Sequence, residues 1–163
     1  MNHPLAPKLP MMGDFLNKFS LPDKPRGELP ELPPYIDDMP DSELMELYRE
    51  FIAWGSYAKA ELVIAEIVEE RSANSHKFTE STKLIEQWGE GNKGDTVTLA
   101  KARRDTDPDV IEALEEYSQA RAIRKLTESV FDRCERSAQV LSRELSRRIS
   151  MAPQERRQAR YTA

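Results

Sequence analysis

The sequence predicts an all-α fold. Two long helices form an antiparallel, coiled-coil-like hairpin, a short helix lies between them, and an extended proline-rich arm precedes them. Three observations carry this. Apolar residues recur at three- and four-residue spacing along two long stretches, and no stretch alternates as a strand would. Three glycines fall within Gly89–Asp95, between those stretches. Nine of the 11 prolines lie in the first 40 residues.

Residues 1–40 form the arm. MNHPLAPKLP and ELPELPPY are extended, polyproline-like segments that a regular helix cannot hold. GDFLNKFSL has room for one helical turn carrying Phe15, Leu16 and Phe19 on one side. The arm reads either as a loose extension or as a segment whose Leu, Phe and Tyr residues dock on a partner at little ordering cost.

The hairpin domain spans residues 41–152. Its first helix starts near Asp41, where Asp41 or Ser42 can cap the free N–H groups and Glu43 and Glu46 suit the positive end. The apolar face runs through Leu44, Leu47, Tyr48, Phe51, Trp54, Ala58, Leu62, Ala65 and Val68. Beyond the polar patch RSANSHK it resumes at Phe78, Leu84, Ile85 and Trp88. An unbroken helix of this kind is about 70 Å long; Gly55 and Asn74-Ser75 are its possible breaks. The glycines after Trp88 end it. Thr96 or Thr98 can cap a short helix bearing Leu99 and Ala102. Asp107-Pro108 starts the last helix, with Asp at the cap, Pro at the first helical position and Asp109 in the first turn. Its stripe is Val110, Leu114, Tyr117, Ile123, Leu126, Val130, Cys134, Leu141, Leu145 and Ile149. Pro153 should stop it, leaving residues 153–163 as a basic tail.

A chain of 163 residues suits one modest domain. It is 39% hydrophobic and 33% charged, too apolar for wholesale disorder. No apolar run approaches the roughly 20 residues of a membrane span, and prolines stand where a signal peptide needs an apolar core. The single cysteine, Cys134, excludes an internal disulfide and a multi-cysteine metal site, and with the other features leads to the expectation of a cytoplasmic protein. Net charge is −5, which disfavours nucleic acid in bulk. Its distribution is uneven. Residues 119–163 carry 11 Lys/Arg against 5 Asp/Glu (+6), and the preceding 118 carry 13 against 24 (−11). That permits a local anion-binding face and equally a head-to-tail contact between copies.

The stretch QWGEGNKGDTVTLAKARRDTDPDV contains a literal G-x-G-x-x-G, Gly89 to Gly94. A dinucleotide loop needs a buried strand before it and a helix opening on its last glycine. Here an amphipathic helix precedes it, and no Gly-Lys-Ser/Thr follows to make a Walker loop. Two readings stand. The glycines Gly89, Gly91 and Gly94 make a plain interhelical turn, or they let a nucleic-acid strand approach a lip formed by Lys83, Trp88, Lys93, Lys101, Arg103 and Arg104. An exposed aromatic stacks on any base and cations neutralise phosphates, so such a lip suits sequence-indifferent single-strand binding.

Other candidates carry less. His3 and His76 have no ligand-spaced partners, so neither metal nor cofactor is expected. Cys134 lies on the apolar stripe as a small core residue. Asp37, Asp38, Asp41 and Glu43 are explained by capping, while Glu69, Glu70, Asp105, Asp107 and Asp109 have no nucleophile arranged with them. Arg143, Arg147 and Arg148 suit helix-surface ion pairs better than nucleic acid. Neither an active site nor a small-molecule substrate is expected.

From Lys83 onward the order of features resembles the UvsY recombination-mediator family of T-even-type phages. KLIEQWGEGNKG matches a long helix that ends in basic and aromatic residues before a glycine-rich turn. TVTLAKARR matches a threonine-led short segment, and DTDPDV an acidic start to a long last helix through LSRELSRRI. The likeness covers Leu44 to Ile149 in architecture and Lys83 to Val110 in motif. It implies a non-enzymatic phage protein, acting in the cytoplasm of an infected bacterium, that assembles into a ring. Such a protein binds single-stranded DNA and helps load a RecA-like recombinase. The DNA-contacting counterparts here are Lys83, Trp88, Gly89, Gly91, Lys93 and Gly94; Lys101, Arg103 and Arg104 are added from charge. Two features depart from the family: the proline-rich arm is extra, and Glu86 and Glu90 intrude before and within the glycines. The alternative is a phage head, connector or scaffold component whose arm binds a neighbour.

Overall fold

A computed structural model describes the backbone of residues 21–89 and 96–161 and the side chains of 21–88 and 96–151. Among the described residues there are three helices, α1 (Asp41–Gly89), α2 (Val97–Asp105) and α3 (Pro108–Tyr161), and no strand. The two long helices pack against each other, with the short one between them in sequence. Helix α1 runs its 49 residues without a break at Gly55 or Asn74-Ser75. None of the helices is long and apolar enough to cross a membrane, among the described residues.

The caps follow the local chemistry. Thr96 is extended and its hydroxyl accepts from Leu99 N at 3.4 Å, so Thr96 rather than Thr98 opens α2. At the start of α3, Asp107 Oδ1 accepts from Asp109 N at 3.0 Å, with Pro108 as first helical residue. At the other end the expected stop at Pro153 is corrected, because α3 continues to Tyr161. Proline removes one N–H bond and crowds the carbonyl four residues back, a cost of about 3 kcal/mol. Gln154 through Arg160 are strong helix formers that resume the ladder beyond it.

The inward seam keeps a strict three-four rhythm, the seven-residue repeat of a coiled coil. The chain divides into two compact units, and the seam differs between them. The arm unit holds residues 21–60 and 128–161; the joint unit holds 61–89 and 96–127.

In the arm unit the seam is apolar. Leu44, Phe51, Trp54, Cys134, Ala138 and Leu141 make one buried cluster. Cys134 is fully buried, and burial pushes its thiol upward from the ordinary range. Gly55 sits in the interior of α1, where an added Cβ would stand 3.5 Å from Cys134 Cβ, an ordinary contact. Gly55→Ala should therefore raise stability by about 0.5–1 kcal/mol, the helical cost of glycine. A chemical-denaturation midpoint at or below the parent's would contradict this.

Residues 21–40 are not the loose extension that is one of the two readings of the arm, and they use their apolar residues within their own unit. Leu29, Leu32, Ile36 and Met39 pack on their own unit's core. Arg133 donates to Pro30 O at 3.2 Å, and Lys24 Nζ stands 5.8 Å from the Trp54 ring. Arg148 pins the arm to α3. It donates to Met39 O at 2.7 Å, Ile36 O at 2.9 Å, Asp37 O at 3.0 Å and Asp41 Oδ1 at 2.6 Å. Its Nε reaches Glu144 at 2.7 Å, and Arg147 grips the same carboxylate with two bonds, 2.6 and 2.7 Å. Glu144 is only 6% exposed, and the Arg147 and Arg148 guanidiniums hold its carboxyl down to about 2. The segment's prolines leave few N–H donors, and its carbonyls find theirs in a guanidinium.

In the joint unit the α1 side of the seam turns polar. After Leu62 and Ala65, α1 points Glu69, Ser72, His76, Thr79 and Lys83 inward, all half-buried. Arg124 Nε meets Glu69 Oε2 at 2.5 Å, and His76 stacks on Tyr117 at 6.4 Å between centroids and 17° between planes. The apolar stripes expected to face inward here do so only in part: Leu62, Ala65 and Val110 are buried. Phe78, Ile85 and Trp88 on α1, and Leu114, Ile123 and Leu126 on α3, are exposed. The same correction applies in the arm unit to Val130 and Ile149. Continuity of the seven-residue repeat from the apolar half fixes which positions point inward, whatever residues occupy them.

Candidate nucleic-acid interface

The joint is where α1 ends, α2 lies and α3 begins, all within the joint unit. Two of the cations expected there are committed to carboxylates. Lys83 Nζ lies 2.6 Å from Asp109 Oδ2, 3.6 Å from Asp107 Oδ2 and 3.5 Å from Glu86 Oε2. Its hydrogen bond to Asp109 leads in raising its pKa above the ordinary lysine value, against opposing desolvation. Arg104 reaches Asp105 Oδ1 through Nε at 2.9 Å and through NH2 at 2.5 Å, and its NH2 stands 3.5 Å from Glu80 Oε1. Glu80 in turn lies 3.8 Å from His76 Nδ1.

These pairs are architectural. Lys83 ties the last turns of α1 to the first turn of α3, and Arg104 ties α2 to α1. Ala100, 2% exposed, seats α2. The acidic run DTDPD, readable from sequence only as a cap, thus supplies the counter-charges for Lys83. The four-residue spacing of Glu80 from His76 was the visible signal for that pair; nothing local forecast the link from Arg104 to Glu80.

The remaining site residues divide cleanly. Trp88 is 52% exposed, one residue before Gly89, the last helical residue of α1. Lys101 and Arg103 are exposed on α2. Gly91, Lys93 and Gly94 lie outside the described residues. The geometry therefore offers an indole half open to solvent at a helix end, and a short helix presenting two cations outward on a base fixed by ion pairs.

A groove of about 580 Å³ lies in the arm unit, lined by Tyr48, Phe51, Ile52 and Phe131, with Lys59 and Arg143 also on its wall. Lys59 Nζ stands 4.9 Å from the Phe131 ring centroid. Among the described residues no three His, Cys, Asp or Glu side chains gather as metal ligands. No family model, curated protein or solved structure matches the chain.

Proposed function

We propose that this chain is a non-enzymatic accessory protein of the recombination-mediator type: it self-associates, binds single-stranded DNA at the helical joint, and helps load a RecA-like recombinase. The observation that carries the reading is the half-exposed Trp88 at the end of α1, in the same unit as outward-facing Lys101 and Arg103. An indole stacks on any base and contributes about 1–3 kcal/mol per base, while cations draw in the phosphates. Lys83 and Arg104 hold the joint in shape through their ion pairs. Charge does not oppose this in an acidic chain, because many weak sites on one assembly gain avidity without any new contact.

The test is fluorescence anisotropy of a labelled single-stranded oligonucleotide at low and high salt. Affinity should fall steeply with salt. Trp88→Ala should weaken binding by roughly 5- to 150-fold, the equivalent of about 1–3 kcal/mol for one lost stacking contact. Adding Lys101→Ala and Arg103→Ala should flatten the salt dependence while circular dichroism stays helical. A triple variant that binds like the parent would remove the site from consideration.

A further inference from the structure

The joint unit buries Leu62, Ile64, Ala65, Val110 and Ala120, yet leaves other large apolar side chains outside, and these identify a second seam. On α1, Phe78 and Ile85 each stand two residues beyond an inward position, His76 and Lys83, which is about 200° round the helix. Both are 74% exposed and lie one heptad apart on a single line. On α3, Ile123 and Leu126 repeat the pattern at three-residue spacing, 50% and 69% exposed. A heptad line of large apolar side chains is what a further helix packs against.

We infer that Phe78 and Ile85 of one copy pack on the Ile123–Leu126 face of α3 of a second copy. This rests on the proposed self-association and names its surface. Charge selects the pairing. Residues 61–89 carry six Asp/Glu against three Lys/Arg, whereas the stretch 119–127 around Ile123 and Leu126 carries three Lys/Arg and no Asp/Glu. An α1–α1 contact would set acidic helix on acidic helix; α1 on α3 sets acidic on basic. Two different faces on each copy make the contact heterologous, so successive copies extend it into a ring or an open array rather than stopping at two.

The measurement is mass by multi-angle light scattering on the full chain without DNA. The parent should be larger than a dimer. Phe78→Glu with Ile85→Glu, and separately Ile123→Glu with Leu126→Glu, should each be monomeric with unchanged helicity, because all four side chains are at the surface. Mixed one to one, the two variants should form a dimer and nothing larger, since each retains the face the other has lost. A monomeric parent, or variants with the parent's mass, overturns the interface. A mixture that stays monomeric overturns the α1–α3 pairing. Variants that are monomeric yet still show Trp88-dependent DNA binding keep the DNA reading and this surface; unchanged assembly with DNA binding lost on Trp88→Ala keeps the DNA reading and sinks this surface.

Discussion

Phe51→Ala is expected to destabilise the protein by about 3–5 kcal/mol, the usual cost of removing a buried phenyl ring together with the cavity it leaves. Phe51 has no exposed surface and belongs to the cluster of Leu44, Trp54, Cys134, Ala138 and Leu141. A domain's whole stability is about 5–15 kcal/mol, so this one change consumes a large part of it. Urea denaturation followed by circular dichroism measures it. A Phe51→Ala midpoint equal to the parent's would mean that the apolar seam of the arm unit is misplaced.

Arg148→Ala should release the proline-rich segment from the hairpin. That guanidinium serves three arm carbonyls, the Asp41 carboxylate and Glu144 at once. Its loss leaves Glu144, nearly out of contact with solvent, with one cationic partner in place of two. Limited proteolysis between Leu21 and Pro40 should accelerate severalfold, and hydrogen exchange there should rise. Equal protection in variant and parent would show that apolar packing of Leu29, Leu32, Ile36 and Met39 suffices.

Acid should produce the same release in the unaltered protein. The Glu144 carboxyl is held at about 2 against an ordinary 4.5, so folding favours its charged form. The stabilisation is complete above pH 4.5 and disappears as the pH falls towards 2. Protease protection of the arm should decline through that window, and Glu144→Gln should show the reduced protection already at neutral pH.

The architecture was legible because its signals are local. Asp107-Pro108-Asp109 fixes a helix start by capping and a preset φ, and Thr96 fixes another by one hydroxyl. Cys134 was placed in the core by its position on an apolar stripe, where it is indeed fully buried. The stripes failed where the inward positions are polar. Reading apolar as inward turned Phe78, Ile85, Ile123 and Leu126 toward the partner helix, whereas the seven-residue rhythm turns them out. At the candidate site the residue types were visible, but not their allegiances. Lys83 and Lys101 are alike as letters; one lies 2.6 Å from Asp109 and the other is exposed.

By itself the sequence determined what depends on neighbours along the chain: helical content, the caps, the glycine-rich joint and the segregation of prolines. Each is set within about one turn, where backbone hydrogen bonding and side-chain spacing decide the outcome. Only the tertiary structure decided which positions of the long helices face inward in the joint unit, that the latter half of the arm is pinned by Arg148, and that Lys83 and Arg104 are tied to carboxylates. Those outcomes depend on groups more than 20 residues apart, and nothing in local spacing distinguishes a lysine that will meet a carboxylate from one that will meet water.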